Sequence, residues 1–314
     1  MDSRVIAEGP AVVEFGGYKY YSTGTITLTP DLKLREIVSS YFGPVDARVT
    51  DKTFNIAFTP VGMLDTVAAY FPFGAGDIGK LVAPDTDAPI VIWTSEGEKI
   101  TIPAGCFAKC PQLLLGTDKG PMGDMALAGM GDIAVEDAAE TAHYTIETAA
   151  IEAHALDPDK APTPAYKAVV GTGETAVEID SEEGFTFDPG AAFAPRAVNR
   201  YGTVNYKLTG LAPSVAFTPF GLTEAEAMTL LHIQGTGAAK LGASNKRGLQ
   251  LQILPAEATA KGVTVTFADF QCREGSMLFG AEDPRHGQYV FVPAVKVTAG
   301  VPGDLYTISF PSWT

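Results

Sequence analysis

Phe58-Thr59-Pro60-Val61-Gly62 recurs as Phe217-Thr218-Pro219-Phe220-Gly221, an offset of 159. A five-letter echo can arise by chance, so the flanks decide. Upstream the same offset holds without a gap, pairing Pro30 with Pro189, Gly43 with Gly202, Val45 with Val204 and Thr50 with Thr209. Ala11-Val12-Val13 meets Ala168-Val169-Val170 at 157, Lys80-Leu81 meets Lys240-Leu241 at 160, Tyr144-Thr145-Ile146 meets Tyr306-Thr307-Ile308 at 162, and Gly123 meets Gly287 at 164. The matches keep their order, and loop insertions produce drift of this size. A unit this long is a duplicated domain and not a solenoid repeat.

The periodicity repeats independently of residue identity. Ahead of the motif, Val45, Ala47, Val49, then Phe54, Ile56, Phe58 alternate in the first copy. Val204, Tyr206, Leu208, then Pro213, Val215, Phe217 do so in the second. A period of two marks half-buried strands. After the motif the period changes: Leu64, Val67, Ala68 and Phe71 fall at i, i+3, i+4 and i+7, one stripe of a helix. In the second copy Thr223 and Glu226 form a capping-box pattern ahead of Ala227, Leu230 and Leu231. The helices, expected near 63–71 and 222–234, run into Gly74-Ala75-Gly76 and Gly235-Thr236-Gly237. Strand-like runs return at 90–93 and 99–102, against 249–254 and 262–270. Each unit therefore reads as several strands, one short helix, then several strands. Between them, Asp157-Pro158-Asp159-Lys160-Ala161-Pro162-Thr163-Pro164 is a stiff, extended connector. The chain divides into a first domain at 1–150, a Pro-rich linker at 151–166 and a second domain at 167–314.

A length of 314 residues has room for about two domains, each able to bury a core without staples. The net charge of −15 is uneven: residues 1–159 hold 23 acids against 10 bases, and residues 160–314 hold 14 against 12. Acids repel a phosphate backbone, which disfavours gripping DNA. The nine acids without a Lys or Arg between Met122 and Asp159 read as a solvated face. Of three cysteines, Cys106 and Cys110 have three residues between them, where a redox or zinc pair has two. All three read as reduced thiols, hence intracellular synthesis. Residues 1–5 carry no signal pattern, and no apolar run is long enough to cross a bilayer, so a soluble protein is expected.

The sharpest chemical motif is Gly74-Ala75-Gly76-Asp77-Ile78-Gly79, a literal G-x-G-x-x-G. A dinucleotide site needs these glycines between a strand and a following helix, whose N-terminus meets the pyrophosphate. Here the expected helix precedes them, Pro84 obstructs one after them, and the second copy, Gly235-Thr236-Gly237-Ala238-Ala239-Lys240, lacks the third glycine. A helix-terminating turn is the better reading. His143, His154, His232 and His286 share no metal-ligand spacing with each other or with the cysteines. Cys110 and Cys272 fall near each other in the alignment of the copies and read as small apolar packing residues. No G-x-S-x-G nucleophile elbow occurs, and the acid pairs Glu182-Glu183 and Asp85 with Asp87 sit in loop-like sequence. No residue is assigned a catalytic, cofactor-binding or metal-binding role, and the chain does not read as an enzyme.

Fusing two β domains makes sense where the domain normally contacts its own kind, because exposed sheet edges invite pairing. The strand–strand–helix–strands order, the Phe-Thr-Pro-x-Gly junction at Phe58 and Phe217, the acidic charge and the reduced cysteines resemble the tail tube (major tail) proteins of long-tailed bacteriophages. The resemblance covers nearly the whole chain. It implies a mainly β protein of two tandem similar β-sandwich domains, each with one short flanking α-helix. It further implies that three chains form a homotrimeric ring of six domains, and that rings stack around a channel conducting the phage genome into the host. The implied partners are the chain itself, the tape measure, terminator and distal tail proteins, and passing DNA that is not specifically bound. The implied location is the virion tail, after synthesis in the bacterial host cytoplasm, without a membrane. Acidic walls suit such a conduit, since they remove the counterion-release gain that makes basic surfaces sticky. Residues 30–44 and 182–201, where a tube protein carries a long inter-subunit loop, are unlike in the two copies. Two alternatives stand beside this reading. One is another virion β-sandwich component, such as a tail terminator, distal tail or capsid-decorating protein. The other is a two-domain carbohydrate-binding module or enzyme, although neither Trp93 nor Trp313 is matched in the other copy.

Overall fold

Alternating apolar residues give a strand one face to bury, and two such sheets bury their faces against each other. A computed structural model describes residues 5–7, 11–61, 67–82, 88–116, 122–130, 144–149, 164–198, 202–231, 249–276, 286–294, 297–298, 301–302 and 304–309. In the first domain one sheet orders Val5–Ala7, Ile26–Ser39, Gly43–Phe58, Met125–Met130 and Ala104–Lys109. Its second sheet orders Thr145–Thr148, Glu98–Ile102, Ile90–Trp93, Val12–Phe15 and Tyr18–Tyr21. The second domain repeats both orders. One sheet runs Leu113–Leu115, Phe185–Asp188, Ser214–Phe217, Tyr289–Pro293 and Phe270–Glu274. The other runs Thr307–Ser309, Thr264–Phe267, Leu251–Pro255, Tyr166–Val170 and Val177–Ser181, with short Pro219–Phe220 added at its edge. The described ladders are antiparallel. The fold is mainly β, two tandem similar sandwiches, and the duplication holds in topology as well as in sequence.

Phe54, Ile56 and Phe58 are buried as their alternation demands, as are Val215 and Phe217 in the second copy. The first domain's sheets approach closely at two glycines. A Cβ at Gly105 would collide with Ile90 Cγ1, and one at Gly129 would meet Ile102 Cγ2 at 2.8 Å. The helix of the first domain is described as Val67–Tyr70, with Ala69 and Tyr70 buried, while Leu64 lies outside the described residues. It ends before the glycines, because Pro72 disfavours helical backbone at Phe71. The second, Glu224–Leu230, has the expected capping box: Thr223 N–H and Oγ1 donate to Glu226 Oε2 at 2.9 and 2.7 Å, and Glu226 N–H donates to Thr223 Oγ1 at 3.3 Å. Ala227 and Leu230 are its buried face. The glycines at 235–237 lie outside the described residues. The apolar run at 262–270 is two strands, Thr264–Phe267 and Phe270–Glu274, with Asp269 Oδ1 accepting the Phe270 N–H in the turn between them. Tyr166 opens the second domain's first strand and so lies inside the span read as linker.

The loops that look unlike in sequence fold alike. In the hairpin of Ile26–Ser39 and Gly43–Phe58, Leu34 pairs with Val49 and Ser39 with Gly43. In the hairpin of Ala191–Val198 and Gly202–Leu211, Phe193 pairs with Leu208 and Val198 with Gly202, the same register at the offset of 159. The bulges coincide too, at Lys33/Leu34 and Ile37/Val38 in one and at Ala192/Phe193 and Arg196/Ala197 in the other. Bulges and turn length set register through the backbone, so side-chain identity need not match.

Candidate functional site: the joint between the domains

The residues that carry chemistry in the sequence are structural. The glycine motif contains a single 3-10 turn, Ala75–Asp77. The Asp77 carboxylate accepts from Gly74 N–H at 2.9 Å and from Lys80 Nζ at 3.0 Å, and these bonds hold it below the usual carboxylate range. An acid occupies the place where a dinucleotide site needs free amides for phosphate. Cys106, Cys110 and Cys272 are buried thiols outside any disulfide, and burial pushes the Cys106 and Cys110 thiols up to about 12. Cys272 pairs with Phe291 and Phe107 with Leu127, and Leu127 and Phe291 stand at an offset of 164, like Gly123 and Gly287. Cys272 therefore stands at the position of Phe107 and not of Cys110. His286 is buried, with Nε2 donating to the Leu222 carbonyl at 3.2 Å. A carbonyl only accepts, so Nε2 carries a proton, and Nδ1 lies 3.3 Å from the Tyr289 hydroxyl. His143, His154, His232, Asp85 and Asp87 lie outside the described residues; Glu182 and Glu183 are exposed. Among the described residues no group of three or more His, Cys, Asp or Glu is placed to hold a metal ion. No helix among them is long and apolar enough to cross a membrane.

What the fold builds is a joint between like domains, made by exchange of strands in both directions. Leu113–Leu115, from the first domain, is the edge strand of a second-domain sheet, pairing with Phe185–Phe187. Leu113 and Leu115 are buried in the second domain's core, and Gln112 Nε2 donates to Asp188 Oδ2 at 2.8 Å beside them. Gly184, at φ +79°, lets the strand pass, since a Cβ there would lie 2.5 Å from the Leu115 carbonyl oxygen. A division at residue 150 thus cuts through a shared sheet. The signal was in the sequence: three consecutive leucines give both faces of a short strand something to bury.

In the other direction, the second domain's hairpin lies on the first domain. Gly79 N–H donates to the Leu208 carbonyl at 2.7 Å, Leu208 N–H to the Lys80 carbonyl at 3.1 Å, and Val82 N–H to the Tyr206 carbonyl at 2.8 Å. Leu208 is 1% exposed, Tyr206 packs on the cluster of Cys106, Ala128 and Met130, and the Phe193 ring meets Phe73 at 5.5 Å. Asp51 pins the hairpin's root. It is 7% exposed and accepts from Thr203 N–H at 2.7 Å, Thr203 Oγ1 at 2.8 Å and Lys33 Nζ at 2.9 Å. Burial works to raise its carboxyl, but the bonds from Lys33 and Thr203 outweigh burial and leave it below the usual range. A cleft of about 260 Å³ runs along the joint between Phe71–Ala75 and Asp304–Ile308, small for a ligand site.

Among the described residues the first domain's own hairpin has no such bed. Leu34 and Val49, which stand where Phe193 and Leu208 stand in the second domain, are 57% and 58% exposed. Leu32, Val38 and Val45 are exposed with them, and Tyr41 and Phe42 stand bare at the tip. Val45 and Val49 alternate as a half-buried strand would, yet none of the described residues covers them. No protein-family model matches the chain, and no curated protein matches it.

Proposed function

We propose that this chain is the tail tube subunit of a long-tailed bacteriophage: three chains close into a ring of six like domains, and rings stack around a channel for the genome. The observation that carries the reading is the asymmetry of the two hairpins. One is docked on the neighbouring domain, and its equivalent presents the same apolar positions to solvent. A contact between unlike surfaces that leaves one of each free must run on, closing as a ring or extending as a filament. An exposed apolar patch of this kind marks a protein-binding surface. The net charge of −15, concentrated in the first half, suits a channel wall from which DNA must slide freely. Tape measure, terminator and distal tail proteins are the further partners this role entails, in the virion tail. Electron microscopy and native mass spectrometry of the purified chain test the reading. Trimers with six density lobes, stacking into tubes with a neutral or acidic bore, are expected. A strict monomer at every concentration, or a strongly basic bore, refutes it.

A further inference from the structure

We infer that the sheet edge beside Ile26–Leu28 is a docking site for a strand of a second copy of this chain, and that Val5–Ala7 is an exchangeable stand-in holding it. The inference rests on the head-to-tail joint that also carries the tube reading. Val5 pairs with Leu28 and Ala7 with Ile26; Leu113 pairs with Phe187 and Leu115 with Phe185. Ile26 and Phe185, and likewise Leu28 and Phe187, are related by 159, the offset of the duplication. Val5-Ile6-Ala7 therefore fills, in the same direction and register, the slot that a strand from another domain fills in the second domain.

The donor for the first slot is legible in the sequence. Gln112-Leu113-Leu114-Leu115-Gly116 is echoed by Ser276-Met277-Leu278-Phe279-Gly280 at an offset of 164, the offset of Gly123 and Gly287. The backbone that launches the first run is reproduced: Gly123 N–H donates to the Gln112 carbonyl at 2.8 Å, and Gly287 N–H to the Ser276 carbonyl at 3.0 Å. Residues 277–279 lie outside the described residues, so the echo is one of sequence. The second domain's own slot is filled by Leu113–Leu115, so the slot open to this run is the equivalent one in the first domain of another copy. The bare hairpin that accompanies that slot completes the same joint. In strand addition the ladder supplies affinity and alternate side chains fill pockets. Leu113 and Leu115 are those side chains in the second domain, both buried. Met277 and Phe279 are larger apolar residues than Val5 and Ala7, which favours exchange. The two joints differ in one respect: Asp51 and Thr203 correspond, at offset 159, to Gly210 and Pro44, so the polar pin exists only inside the chain. The joint between copies is therefore the weaker one, and forms as concentration rises.

The test locks or removes the stand-in. Ile6 faces Thr27 across the ladder, so Ile6→Cys/Thr27→Cys, once oxidised, ties the strand down. Sedimentation across a concentration series is expected to find the locked chain monomeric where wild type associates, with association restored on reduction. A chain lacking residues 1–9 is expected to associate at a concentration lower by about tenfold or more, as removal of a competing intramolecular strand requires. Locked protein that associates as readily as wild type, or a folded truncated chain that associates no better, overturns the inference. Reduction-dependent assemblies that are not rings leave the exchange standing and remove the tube reading. Stacked rings from the locked chain do the reverse.

Discussion

Asp51→Ala is the most incisive probe of the joint. Its carboxylate is the acceptor for two donors of Thr203, itself buried, and for the exposed Lys33 ammonium. Removing it returns Lys33 to water but strands the Thr203 N–H and hydroxyl, at about 1–3 kcal/mol each. Some relaxation reduces the sum, so a loss of about 2–4 kcal/mol is expected. Thr203→Val keeps the N–H bond and loses only the hydroxyl bond, costing about 1–2 kcal/mol. In the double variant no hydroxyl needs a partner, so it loses less than the sum of the two, by about 1–2 kcal/mol. Denaturant unfolding at neutral pH, followed by far-ultraviolet circular dichroism and by tryptophan fluorescence, measures all four corners of the cycle. Coupling below about 0.5 kcal/mol would sink the claim that this pair pins the second domain's hairpin to the first domain.

Asp51 also predicts an acid limb. A carboxyl held low in the folded state stabilises above its unfolded pKa of about 3.9, and that stabilisation is lost as pH falls through the folded value. Wild type should lose stability below about pH 4 more steeply than Asp51→Ala, as thermal melts between pH 2 and pH 7 would record. Residues 164–314 expressed alone lack Leu113 and Leu115, whose burial is worth about 1.5–3 kcal/mol each. That fragment should melt lower than, or aggregate beside, the same fragment with the strand appended through a flexible linker; equal melting points would remove the strand from the second domain's core. Gly105→Ala drives a methyl into Ile90 between the sheets and should cost about 1–3 kcal/mol by denaturant unfolding, whereas Gly210→Ala, with open space around it, should cost under about 1 kcal/mol. Buried thiols should be silent to a thiol reagent at pH 8 and should all react once the chain is unfolded, the number released being three. A thiol that reacts rapidly in the native protein would contradict its burial.

The sequence by itself determined the duplication and the strands whose apolar residues meet a partner inside their own domain. Phe54, Ile56 and Phe58, and Val215 and Phe217, lie where their period places them, and Thr223 with Glu226 caps the helix as its spacing requires. These are local or short-range consequences of side-chain alternation and hydrogen-bond chemistry, so a linear reading reaches them. Tertiary structure alone decided which strand completes which sheet. Leu113–Leu115 folds with the far-downstream Phe185–Phe187, and Val5–Ala7 takes the equivalent edge of the other domain, because an open sheet edge accepts any strand of suitable length and direction. It also decided that two hairpins with little identity share register and bulges while differing in burial, since backbone geometry sets the first and the presence of a neighbour the second. Val49 and Leu208 occupy equivalent positions in the repeat; only the domain lying beside Leu208 makes one of them core and leaves the other on the surface.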